Sequence, residues 1–243
     1  MIGQLRSELL KQRSTETTLY LFLAMFGLVA LAVTMHVLAL GADDLSTRTR
    51  QLEVFQVGSR AGMLFAGLAG AIAITAELRY GTIRPTFLVT PRRSPVLAAK
   101  VAIGVLVGLA FGLVAEALMA ADAAVAFAAR GIDNQLTGGD YLQLLTGGAA
   151  AAALWAAAGV GVGALIRNQV AALVGLCAWM FLVESTSESF VPGFGRLLPG
   201  SAGLALAGNS DELSAAIGAL LLVLYAATVA AAGWRTTLRR DIA

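Results

Sequence analysis

Six apolar runs, each near the length of a bilayer crossing, divide the polar residues of this chain into short groups. A helix needs about 20 mainly apolar residues to cross the hydrocarbon core. The runs cover residues 18–40, 58–76, 96–121, 142–166, 169–184 and 213–234, the fifth being the shortest. Composition points the same way: 58% of the 243 residues are hydrophobic and only 13% are charged. Mean hydropathy is +0.79. A soluble domain carries about 25% charged residues, and so little polar surface would not enclose one large core. The expected fold class is an all-α integral membrane protein with six transmembrane helices. The first run is too long for the apolar region of a signal peptide, and no small-residue cleavage site follows it.

Orientation follows from where the basic residues fall. With the N-terminus in the cytoplasm, Arg6, Lys11 and Arg13 lie inside, as do Arg79, Arg84, Arg92, Arg93 and Lys100. Arg167, Arg235, Arg239 and Arg240 complete that side, leaving Arg48, Arg50, Arg60, Arg130 and Arg196 opposite; Arg60, at one end of the second run, can snorkel. Acidic residues show the reverse bias. Both termini are therefore expected in the cytoplasm. Ile2, Leu5, Leu9 and Leu10 fall on one face of "MIGQLRSELLKQRSTETT", as in an interfacial helix leading into the first span; a solvated basic tail is the alternative. On the outer side, "ESTSESFVPGFGRLLPGSAGLALAGNSDE" is too apolar for a simple loop and too broken for a span. A re-entrant or interfacial hairpin over 184–212 fits it, because irregular backbone at membrane depth must be buried or line a cavity.

Helices in lipid associate through small residues that let backbones approach. Gly104, Gly108 and Gly112 recur every four residues, and Glu116 continues the series. Each step turns only about 40° around a helix, so the four form one winding stripe. It serves either packing within the chain or a seam between two copies. Glu116 is the acid clearly inside a span. It belongs either to a substrate pathway or to a hydrogen-bonded packing position, unless it reaches outer water. His36 is expected at an interface or packed, and Cys177, the single cysteine, as a small apolar filler.

Catalytic chemistry is absent from the sequence pattern. Lys11 and Lys100 are the only lysines, and neither follows the glycines of a phosphate-binding loop. One histidine and one cysteine cannot make a His/Cys metal cluster. "GSAG" at 200–203 lacks the G-x-S-x-G spacing of a serine nucleophile. No cofactor and no nucleic-acid partner is expected for this chain, which should not be an enzyme.

The remaining feature is "AELRYGTIRPTFLVTPRRSPVLAAK", residues 76–100, which concentrates charge between two apolar runs. Gly81 stands where a helix end favours glycine. Thr82 can cap a short helix with Pro85 in its first turn, although proline also restrains Arg84. Thr90-Pro91 and Ser94-Pro95 each place a cap residue before a first-turn proline. Ile83, Phe87, Leu88 and Val89 would give the short helix an apolar side. A plain positive anchor would need the arginines but not this turn chemistry.

Together with "RSELLKQRSTETTLYLFLA", this stretch resembles the membrane subunits of type-two ABC transporters, especially small actinobacterial permeases. The likeness implies an N-terminal elbow helix over residues 1–17 and a single six-span permease domain over 18–243. It also implies a cytoplasmic coupling loop over 77–95 and re-entrant helices before the last span. The family element E-x-x-x-G-T is matched by Glu77, Gly81 and Thr82. By the same likeness Glu77, Gly81, Thr82, Ile83, Arg84, Pro85 and Phe87 would carry coupling to a separate ATPase subunit. An apolar helix face flanked by arginines suits docking into a partner groove. The implied assembly has two ATPases, which hold ATP and Mg, and two permeases, a homodimer by default, in the lipid of a bacterial plasma membrane. Export of an amphipathic drug, antibiotic or lipid is the expected activity, with a role in multidrug or antibiotic resistance. A secondary transporter or channel working without an ATPase is the alternative, and such proteins place ionisable groups near the midplane. A non-transporting membrane scaffold is a third reading.

Overall fold

The computed structural model describes residues 2–39, 45–82, 93–210 and 213–239. Ten α-helices are present among them: α1 (Ile2–Ser14), α2 (Glu16–Ala39), α3 (Arg48–Arg79), α4 (Arg93–Ala129), α5 (Gly138–Ile166), α6 (Gln169–Ala178), α7 (Ser185–Phe190), α8 (Pro192–Gly195), α9 (Pro199–Leu206) and α10 (Ala215–Arg239). A π-helical turn, Trp179–Glu184, joins α6 to α7. No strand occurs among the described residues. Six helical segments are long and apolar enough to cross a membrane. The protein is thus all-helical, with the multi-pass character that the apolar runs require.

Helices α3 and α5 form the centre. Their most apolar stretches are 78% and 67% buried, against 17% for both α2 and α10. Small residues make this possible. A methyl group at Gly70 would collide with the carbonyl of Ala156, and one at Gly159 with the carbonyl of Gly67, so the α3 and α5 backbones lie in direct contact. The stripe on α4 faces α5 as well. A Cβ at Gly108 would come 2.7 Å from the Ala152 oxygen, and one at Gly112 2.6 Å from the Ala149 Cα. At Gly104 its close neighbour would be the Val160 side chain, at 3.1 Å, with the Ala156 oxygen at an ordinary 3.9 Å. The stripe is therefore spent on packing within the chain. Phe22 of α2 stacks on Phe111 of α4 with ring centroids 3.8 Å apart, adding α2 to this core.

Helix ends follow local chemistry. Thr137 and Asp140 make a capping box at the start of α5. Arg167 adopts a left-handed conformation (φ 54°) and Asn168 caps α6, so α5 and α6 form a hairpin with a two-residue turn. Gly81 follows α3 with φ +69°, which L side chains rarely adopt, and it ends the helix as its residue type predicts.

Several helices outrun their apolar segments. Helix α3 begins ten residues before the expected span, at Arg48, and α4 continues eight residues past it, to Ala129. The extra turns of α3 look polar, yet Gln51 is fully buried there. Its amide donates to the carbonyls of Leu45 (3.0 Å) and Asp133 (2.8 Å), and its oxygen accepts from the Gln135 N–H (2.8 Å). Arg48 pairs with Asp140 across the same region, at 2.5 Å. A loop distant in sequence thus covers the helix end and satisfies it. Arg60, expected at a span end, stands well inside α3.

Candidate functional site

Three polar groups in the helical bundle are buried with specific partners. The first joins α1, α3 and α4 beneath the charged stretch. Lys100 Nζ lies 2.8 Å from Glu8 Oε2 and 2.8 Å from Glu77 Oε1, and donates to the Ala73 carbonyl at 3.0 Å. Lys11 Nζ bridges the same two acids, at 2.8 Å from Glu8 Oε1 and 2.7 Å from Glu77 Oε1. The Lys100 side chain is 1% exposed and that of Lys11 41%. Two acids and two ammonium groups balance in charge. A buried set of this kind holds geometry firmly, because removing one member strands its opposite. Burial works against the Lys11 charge, but hydrogen bonds to Glu77 and Glu8 prevail and hold its pKa above the usual value.

This cluster changes the reading of α1. Leu9 and Leu10, part of its expected apolar face, are exposed, whereas Glu8 is buried and Gln4, Leu5, Lys11 and Gln12 are half-buried. The helix docks on the bundle by a mainly polar side and turns Leu9 and Leu10 outward. A purely apolar pattern search misses this. The available signal was Glu8 and Lys11 at i, i+3 spacing, one turn apart on the same face.

Glu77 accordingly points into the bundle, and only 8% of it is exposed. It stands three residues before the break at Tyr80–Thr82, where Gly81 and Thr82 are exposed. Ile83, Arg84, Pro85 and Phe87 of the expected coupling helix lie outside the described residues.

The second group surrounds Glu116, which is 1% exposed. Ser59 of α3 donates its hydroxyl to Glu116 Oε1 at 2.5 Å. Asn209, just after α9, donates to the Ser59 hydroxyl at 2.8 Å, and Gln56 donates to the Asn209 carbonyl at 3.0 Å. Gly148 of α5 lies against the carboxyl, so close that a Cβ there would be 2.5 Å from Glu116 Oε1. The carboxyl therefore does not reach outer water. It joins α3, α4, α5 and the end of α9.

The third group is Glu184, fully buried in the π-helical turn. Its Oε1 accepts from Trp179 Nε1 at 2.9 Å and from the Gly200 N–H at 2.8 Å. Gly200 is in the first turn of α9, so the carboxylate satisfies a free helix N–H and favours the positive end of that helix. Trp155 of α5 adds a hydrogen bond to the Pro199 carbonyl at 3.4 Å. The start of α9 is thereby fixed on the core.

His36 is half-buried on α2, and Cys177 is a half-buried free thiol on α6. Among the described residues no three His, Cys, Asp or Glu side chains come together as metal ligands. The chain matches no known protein-family model, and no curated protein matches it.

Proposed function

We propose that this chain is the membrane permease subunit of an ATP-driven exporter of the type-two ABC class, coupled to a separate ATPase through the loop between α3 and α4. The observation that carries this reading is the ion cluster at the base of that loop. Glu77 precedes the loop, Lys100 follows it, and the two are joined at 2.8 Å inside the bundle. A force applied to residues 81–92 would pass into both helices together, and into α1 through Glu8 and Lys11. ATP binding by the partner would close two ATPases, move two such loops and tilt two permease copies between inward- and outward-facing states.

Other features fit the same reading. Helix α1 would be the elbow, and α8 with α9 the re-entrant segment on the outer side. The exposed apolar faces of α2, α6 and α10 would meet lipid and a second copy. Export of an amphipathic substrate across a bacterial plasma membrane follows, with both termini cytoplasmic. ATP and Mg would be bound by the ATPase and not by this chain.

Co-purification tests the proposal. Chain extracted in mild detergent from its native host should retain an ATPase at two copies per two permeases. Consistent absence of any ATPase would remove the reading. One observation favours a secondary transporter or channel instead: Glu116 is a carboxyl buried inside the spans, as proton- or ion-coupled carriers require. Transport that persists after ATP depletion but stops in Glu116→Gln would select that alternative.

A further inference from the structure

Helices α4 and α10 both pack on α5 through small residues. A Cβ at Gly104 of α4 would lie 3.1 Å from the Val160 side chain, and one at Gly233 of α10 would lie 2.6 Å from the Gly161 oxygen. Between the two helices is an open groove of about 530 Å³. Ala98, Val101 and Ala102 form one wall, Ala230, Ala231 and Trp234 the other, and Arg235 borders it. Val101 and Trp234 also pack against Leu97, Val160 and Ala164, so the walls are held by the core. Arg235 stands four residues before Arg239, where α10 ends. It is exposed, and among the described residues nothing forms a hydrogen bond or ion pair with it. Helix α10 contains no acid, and α4 has none before Glu116. The acids of the neighbouring cluster, Glu8 and Glu77, are committed to Lys11 and Lys100. An apolar trough along two spans thus ends at an accessible cation without a counter-ion.

We propose that this groove binds one phospholipid with a net negative headgroup of the glycerol type. One acyl chain lies between the alanine walls, and the headgroup phosphate accepts from the Arg235 guanidinium. Trp234 beside it suits the headgroup level, where indole rings favour the boundary between lipid and water. Charge selects the lipid. A choline headgroup offers the same chains and phosphate but brings its own cation, so Arg235 stays uncompensated. Charge also argues against a second copy of this chain as the occupant. A two-fold contact through this groove would bring two Arg235 side chains to one seam, with no acid on α10 to separate them. The site is independent of the transport reading and survives its failure.

Delipidated full-length chain in detergent, titrated with dioleoyl lipids differing only in headgroup, tests this by native mass spectrometry. The first glycerol lipid should bind about fivefold more tightly than the first choline lipid, the preference expected of one basic residue facing an anionic headgroup. Arg235→Gln should erase that preference. Arg196→Gln, which removes an exposed arginine away from the groove, should leave it intact. Ala231→Phe, which fills the groove from an exposed position, should weaken binding of the glycerol lipid at least about fivefold. Chainless glycerophosphoglycerol should bind far more weakly than the intact lipid. Equal binding of the two lipids to the wild-type chain overturns the proposal, as does a preference that survives Arg235→Gln or is lost equally in Arg196→Gln. Tight lipid binding unchanged in Ala231→Phe would also overturn it, as would a chainless headgroup that binds as tightly as the lipid. A dimer that Ala231→Phe splits into monomers would assign the groove to a second copy and overturn it as well.

Discussion

At the scale of single residues, the ion cluster and the Glu116 network should tolerate loss of charge to different degrees. Lys100→Met leaves two buried acids facing one half-exposed lysine, and should cost about 3–5 kcal/mol in detergent unfolding. Lys11→Met should cost clearly less, because solvent screens its side chain, which is 41% exposed. Lys11 also sets a pH limit. Its folded pKa is above the ordinary 10.5, so its contribution is complete below that pH and fades as pH rises through the higher value. Protease sensitivity of residues 2–14 should stay flat up to about pH 10 and rise beyond 10.5. Glu116 accepts from Ser59, and an amide oxygen can do the same. Glu116→Gln should therefore cost under about 1 kcal/mol, whereas Glu116→Ala, which leaves Ser59 unsatisfied and opens a void, should cost about 2–4 kcal/mol. The sequence marks Glu116 as exceptional because it is an acid inside an apolar run. It does not mark Glu8 or Lys100, which look like ordinary interfacial charges until α1 folds back on the bundle.

At the scale of elements, close helix approach turns particular glycines into requirements and leaves others replaceable. Gly159→Ala drives a methyl group into the Gly67 carbonyl and should lose about 1–3 kcal/mol. Gly104→Ala presses on a valine side chain at 3.1 Å, which can shift slightly, and should cost clearly less; side-by-side melting curves would show the contrast. The existence and order of the six long helices were legible, because bilayer length and hydropathy constrain them directly. Their ends were less so. The outer turns of α3 carry Arg48, Arg50 and Glu53, and only the distant loop bonded to Gln51 makes them part of the core. Likewise the helix begun by α6 continues to Phe190 as a π-helical turn and α7 rather than stopping near Glu184, where the apolar run stops. The Ser185 and Thr186 hydroxyls bond back to the carbonyls of Phe181 and Leu182, which satisfies groups a π turn displaces.

At the scale of the whole molecule, sidedness governs every functional statement. On the orientation expected from the basic-residue bias, Thr82 lies on the inner side and residues 130–137 on the outer. In a Cys177→Ser background, a cysteine at Asn134 should react with a membrane-impermeant thiol reagent in intact cells. A cysteine at Thr82 should react only after permeabilisation. The opposite result would invert the topology and with it the proposed coupling. That expectation rests on the charge pattern of the sequence alone. The inward-facing bonds of Glu77 were not legible, since the partner lysines lie 66 residues before it and 23 residues after it.

Helix α1 presents Glu8 and Lys11 to the bundle and Leu9 and Leu10 to the surroundings. Trimming the N-terminus, an ordinary step in preparing a membrane protein for study, would here remove a buried carboxylate and the half-exposed ammonium paired with it. A shortened chain should therefore come out of the membrane less robust than the full one, although the part removed resembles a dispensable tail.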